Sequence, residues 1–276
     1  IYAISHKEPS FDVPNASNKV IWFNSDLTSG DCLESILSDK DVVIQAAATT
    51  SGAKEIVNSP YLHVTDNAIM NSLLLRQAME SKVKHFIFFS CTVMYQNSDV
   101  PLKENDWNPN DEIYHKYFGI ANTKIYIEKM LEFYSRISSL KTTAIRHSNI
   151  YGPYDKFDFE RSHVCGATIS KTLTAKDEIL IWGSGEEERD LLYIDDLVRF
   201  VELAIKNQKK QFGLYNVGYG KLITINNLVK RIIRIYGKKI DVYNDLSKKS
   251  LKNSVFLNCN KAYKELRWKK KISLNQ

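Results

Sequence analysis

No stretch of the 276 residues approaches the roughly 18 consecutive apolar residues that a membrane helix needs, and none reads as a signal peptide. Cysteine is scarce. Cys32, Cys91, Cys165 and Cys259 stand far apart with no C-x-x-C pair, which argues against a zinc knuckle or a disulfide framework and for a reducing, cytoplasmic setting. The six histidines show no metal-ligand spacing, so no metal is expected. Glycine is sparse as well, 11 in all, and none precedes Gly30. Internal repeats and low-complexity linkers are absent. Hydrophobic residues make up 43% and charged residues 25%, ordinary globular usage that excludes disorder, collagen and coiled coil. The length suits one large domain or two small ones.

Charge is unevenly spread. From Lys206 to Gln276 there are 18 basic and 3 acidic residues, a surplus of +15 against −9 for the rest. The lysines are scattered and no nucleic-acid motif accompanies them, so no nucleic-acid partner is expected; a basic flank suits a diphosphate ligand.

Apolar runs alternate with helical periodicity. Strands are expected over Ile1–Ile4, Val20–Phe23, Val42–Gln45, His85–Phe89 and Thr142–Arg146. Helices are expected near Cys32–Ser38, Asn67–Ser81, Ala121–Arg136, Ile194–Ile205 and Ile225–Tyr236. This predicts an α/β fold with a parallel sheet buried on both faces. Ligands of such sheets bind beyond the carboxyl ends of the strands. There the chain carries Ala46-Ala47-Ala48-Thr49-Thr50-Ser51-Gly52, then Ser90-Cys91-Thr92-Val93-Met94-Tyr95, then His147-Ser148-Asn149-Ile150-Tyr151-Gly152-Pro153.

These segments, with Ser162-His163-Val164, Ile181-Trp182-Gly183-Ser184-Gly185, Arg189-Asp190, Tyr193-Ile194-Asp195-Asp196 and Leu266-Arg267-Trp268, resemble the extended short-chain dehydrogenase/reductase family. These are the NAD-dependent nucleotide-sugar epimerases and dehydratases, and the likeness is strongest to epimerase-reductases of the GDP-L-fucose synthase type. The resemblance implies a Rossmann-like cofactor-binding domain over 1–150, with the helix near 194–205 packed on it, and a smaller substrate lobe over 151–276. It implies NADP or NAD as cofactor, a nucleotide-diphosphate sugar as substrate, and a homodimer built on helices Asn67–Ser81 and Ala121–Arg136. A simpler 4-epimerase, a 4,6-dehydratase, or a catalytically altered binding protein are the alternatives.

Three departures from the family pattern stand out. The glycine-rich phosphate turn is absent and the chain opens on what reads as a strand under way. About 25–35 further residues carrying that turn are therefore expected upstream, and the chain as given is expected to bind dinucleotide poorly. At the usual serine or threonine position, four before Tyr95, stands Cys91, flanked by Ser90 and Thr92. On a continuing strand these two face away from Cys91, whereas a turn brings Thr92 into the site. Finally, Lys124 matches the lysine of the family's Tyr-x-x-x-Lys, but Ile120 occupies the tyrosine position. Tyr117 lies two helical turns before Lys124, ~10 Å along a helix axis, and a bend at Gly119 would shorten that gap; Tyr114 is a further candidate.

The resemblance assigns the remaining roles. Lys124, Tyr117, Cys91, Thr92 and His163 are the candidate catalytic residues, with His163 as general acid. Lys7, Asp26, Leu27, Ala46, Ala47, Ala48 and Lys124 are the candidate cofactor residues. Lys7 leans the choice to NADP, with Glu8 adjacent. Asn149, Arg189 and Asp190 are the candidate substrate residues, Asp190 with a structural alternative.

Overall fold

The computed structural model describes residues 1–6, 20–49, 59, 61–155, 157, 162–247 and 254–275. Its central sheet joins β3 (Val42–Gln45), β4 (His85–Phe89), β5 (Lys141–His147) and β9 (Phe212–Val217), all parallel. A second parallel pair, β1 (Tyr2–Ser5) with β2 (Ile21–Asn24), is hydrogen-bonded within itself. The Phe86-Ile87-Phe88 run explains the layering. Alternate side chains point to opposite faces. Phe86 and Phe88 enter one core with helices α1 (Leu33–Leu37), α2 (Leu62–Glu80) and α3 (Phe118–Ile137). Ile87 enters the other, with α5 (Ile194–Asn207) and α7 (Asn260–Leu266). All three are essentially inaccessible, and burying each such side chain is worth about 1.5–3 kcal/mol.

The remaining elements are α4 (Val164–Thr174), α6 (Ile225–Tyr236) and small sheets: β6 (Asn149–Tyr151) and β10 (Leu222–Thr224) flank β8 (Glu188–Tyr193), and β7 (Glu178–Trp182) pairs with β11 (Asp241–Asp245). The chain crosses back after residue 151, because β9, α5 and α7 all return to the main sheet. Strands of three to six residues without a long apolar run are why β6–β11 left no clear periodicity in the sequence. Among the described residues no helix is long and apolar enough to cross a membrane, and no group of side chains is placed to hold a metal ion.

One local expectation is corrected. The chain does not bend at Gly119. A 3₁₀ turn over His115–Tyr117 leads straight into α3, with Gly119 in its first turn. Glycine serves closeness there: a Cβ on residue 119 would lie 2.7 Å from Val64 Cγ2, so its absence lets α2 and α3 pack tightly.

Candidate active site at the carboxyl ends of β4 and β5

Two polar assemblies grow from the same three elements. The first is a closed network. Arg146, next to last in β5, donates through Nη2 and Nε to Glu128 of α3 at 2.6 and 3.0 Å. Its Nη1 reaches the Tyr95 hydroxyl at 3.0 Å and the Glu104 carbonyl at 3.1 Å. Ser90 Oγ donates to Glu128 at 2.5 Å, Tyr95 to Asn216 Oδ1 at 2.8 Å, and the Asn216 amide N–H to Glu104 Oε1 at 2.8 Å. Burial opposes charge on Arg146, yet the adjacent Glu128 carboxylate holds the guanidinium above its usual range. Burial pushes the Tyr95 hydroxyl up to about 12. Every member is buried, and the sequence reading missed the whole network; its one visible trace is Glu128, one turn after Lys124.

The second assembly holds Cys91, Lys124, His147 and His163. Strand β4 stops at Phe89, and a turn over Thr92–Tyr95 follows, with the Tyr95 N–H donating to the Thr92 carbonyl at 3.0 Å. Ser90 enters the closed network, Cys91 comes within charge range of Lys124, and Thr92 sits half-buried in the turn. Lys124 Nζ donates to the Phe89 carbonyl at 2.8 Å and lies 4.5 Å from the Phe88 ring centroid. Burial lowers its pKa, with Cys91 and Glu128 opposing. Burial raises the Cys91 thiol, with Lys124 opposing. His147 ends β5 edge-on to Phe89, ring centroids 6.1 Å apart. Burial drives its pKa down to about 4, and the nearby Lys124 and His163 add to that. His163 is exposed at the residue before α4.

The other candidates lie as follows. Tyr117 is half-buried against Tyr114, ring centroids 5.7 Å apart; burial raises its hydroxyl, and the cation acting on it is Arg189, not Lys124. Arg189 donates to the Glu188 carbonyl at 2.7 Å. Asn149 Nδ2 stands 3.4 Å from the Asp190 carbonyl. Asp190 is fully buried, and its carboxylate accepts from the backbone N–H groups of Tyr219, Gly220 and Leu257 at 2.7, 2.9 and 3.2 Å, which fixes the turn after β9. Ala46, Ala47 and Ala48 are exposed beyond β3. Asp26 accepts from the Thr28 backbone and hydroxyl, which holds its carboxyl below the usual range, while Leu27 turns its side chain into the core. Lys7 lies outside the described residues.

These residues suit the nicotinamide-ribose end of a dinucleotide. An ammonium has three donors, and Lys124 spends one on Phe89, which leaves two for ribose hydroxyls at a strand end. The small side chains after β3 give a ligand room to lie against the main chain.

The sequence pattern of the NAD dependent epimerase/dehydratase family matches residues 1–218. The chain belongs to that family. It is 34% identical to the GDP-L-colitose synthase of Yersinia pseudotuberculosis over 213 residues, covering 75% of this chain and 68% of that one. It is 27% identical to the GDP-L-fucose synthase of Escherichia coli K12 over 252 residues, covering 85% and 76%. The crystal structure of a UDP-glucose 4-epimerase from Thermotoga maritima with UDP-glucose superposes with a TM-score of 0.83 at 26% identity, covering 99% of this chain and 86% of that one. In open α/β sheets generally, ligands bind past the carboxyl ends of the strands, and in this epimerase/dehydratase Cys91 and His147 lie at the ends of β4 and β5.

Proposed function

We propose that this protein is an NADP-dependent epimerase-reductase of a GDP-linked sugar. The observation that carries the reading is Lys124, a half-buried, partly desolvated cation with two open donors where β4 and β5 end. Residues through 150 hold the dinucleotide and those from 151 onward hold most of the sugar nucleotide. Arg189, whose charge is partly desolvated beside Tyr117 and Glu187, suits a diphosphate as a fixed cationic fork. The bound nicotinamide supplies hydride exchange at a sugar carbon. The protein's part is to hold the ribose through Lys124, hold the nucleotide through Arg189 and Asn149, and move protons through groups beside Lys124. In this reading His163, the residue before α4, is the general acid that gives a proton to a sugar carbon during epimerisation. The GDP-sugar names of the relatives support the substrate class.

A UDP-hexose 4-epimerase is the second reading, favoured by the superposition with the Thermotoga maritima enzyme. Stoichiometry separates them, because an epimerase-reductase consumes NADPH with each turnover and a 4-epimerase returns its cofactor unchanged. A cytoplasmic homodimer completes the proposal: α2 and α3 leave Ile69, Tyr126, Phe133 and Ile137 exposed, a face for a second copy that sedimentation velocity tests directly.

The binding test uses the full natural chain. Lys124→Met should weaken NADP+ binding roughly 10–150-fold, the worth of a charged hydrogen bond, and leave GDP binding intact. Arg189→Met should do the reverse. Wild-type protein that binds neither NADP+ nor NAD+ would refute the reading.

A further inference from the structure

The family's tyrosine position holds Ile120, which has no proton to exchange, so another group must serve if sugar oxidation occurs here. Three candidates are poorly disposed. Tyr117 packs on Tyr114 and feels the charge of Arg189, not Lys124, and burial raises its hydroxyl further from neutrality. Cys91 is held as a thiol by burial. His163 is exposed at the start of α4. A further titratable residue, His147, ends β5 within charge range of Lys124.

We propose that His147 is the acid/base of this site: its Nε2 takes the proton of the reacting sugar hydroxyl on oxidation and returns it on reduction. The proposal rests on the nucleotide-sugar reading of the same site. Its geometric basis is the ring's anchoring. Nδ1 lies 2.8 Å from the Ser148 carbonyl, an atom that only accepts, so Nδ1 carries the hydrogen. The lone pair is then on Nε2, which has no hydrogen-bond partner among the described residues. The ring is walled by Phe89 of β4, and its backbone is locked in register with Val217 of β9. The titratable groups acting on it are Lys124 from α3 and His163 from the segment before α4, and both disfavour a second positive charge. The imidazole is therefore neutral at pH 7, with the Nε2 lone pair open.

The step balances. The C–H bond breaks and its two electrons leave with the hydride for the nicotinamide. The O–H bond breaks, its electrons form the carbonyl, and the proton bonds to Nε2. Reduction is the reverse, with the imidazolium returning the proton. Lys124 is not consumed. It holds the ribose and, by its charge, keeps the imidazolium short-lived.

The test pairs a spectroscopic and a kinetic readout on the full natural chain. Histidine-selective ¹⁵N NMR should show His147 with Nδ1 protonated and Nε2 bare, titrating near pH 4 and not near the ordinary value of about 6.5. Its Nε2 signal should move when GDP-L-fucose and NADP+ are added together. His147→Gln should keep NADP+ affinity and lower sugar-dependent change in absorbance at the nicotinamide band by roughly 10²–10⁴-fold. A hydrogen on Nε2 in the resting protein overturns the proposal without any variant needing to fold. So does turnover that survives His147→Gln but is lost in Tyr117→Phe or Cys91→Ser. In those cases the nucleotide-sugar reading stands. If wild type binds no dinucleotide at all, both fall together.

Discussion

Ser90 and Cys91, Glu128 and Lys124, Arg146 and His147 are three pairs of near neighbours, yet each pair divides between two assemblies with opposite fates. Ser90, Glu128 and Arg146 close on one another and on Tyr95, leaving no member without a partner. Cys91 and His147 each lie in reach of the Lys124 charge, and Lys124 and His147 bond to backbone carbonyls. The division comes from geometry. Successive strand residues face opposite ways, which separates Arg146 from His147. A network satisfied from within fixes the core, whereas one left open has capacity for a ligand. The comparison teaches that the informative property of a buried polar residue here is its unspent valence, more than its burial.

The sharpest way to break the comparison is Arg146→Met. It strands the Glu128 carboxylate and the Tyr95 hydroxyl in the interior, and unfolding in urea should show a loss of about 3–5 kcal/mol. Adding Glu128→Leu should restore much of it, because the uncompensated charge goes too. A loss below about 1 kcal/mol for Arg146→Met would mean that the network is ornamental.

Acid should single out the open assembly. His147 takes up a proton only near pH 4 when folded but near 6.5 when unfolded. Between those values the unfolded chain binds more protons, so stability falls as pH drops from about 6.5 to about 4 and levels off below. His85, held neutral by burial and by Lys141, adds a slope in the same window. His147→Gln should flatten the decline by on the order of 2 kcal/mol, read from urea midpoints across that range. An unchanged slope would place the imidazole in a wetter setting than the structure shows.

The smallest effect is expected at Lys124. Lys124→Met removes a desolvated cation and costs one hydrogen bond to a carbonyl, so stability should move by about 1 kcal/mol or less in either direction. Thermal unfolding without ligand checks this. A loss as large as that at Arg146 would move Lys124 into the structural class and erase the distinction between the assemblies.

Much of this was readable in the chain. Val42–Gln45 and His85–Phe89 coincide with β3 and β4, because a run such as His85-Phe86-Ile87-Phe88-Phe89 has only one economical fate, a strand covered on both faces. The extent of α2 was less legible. It starts at Leu62, ahead of the Asn67 expected, since residues that make its first turn show no apolar periodicity. The segments after β3, β4 and β5 do lie at the carboxyl ends of parallel strands, and Lys124 stands out in the sequence by its match to the family's lysine. His147 lies within the last segment but carries no signal of its own in the sequence, because a histidine at a strand end is as often a packing residue as a reactive one.

The sequence by itself therefore determined the α/β architecture and the family, since apolar periodicity and motif spacing are local properties of the chain. Which titratable side chains come within charge range of Lys124 was decided only by tertiary structure. That choice depends on α3 beginning at Phe118 with no bend at Gly119, which leaves Tyr117 beside Arg189. It depends equally on β5 ending in register with β9, which puts Arg146 in the core network and His147 on the opposite face. Helix starts and strand registers are set by contacts between elements distant in sequence, and no spacing along one segment encodes them.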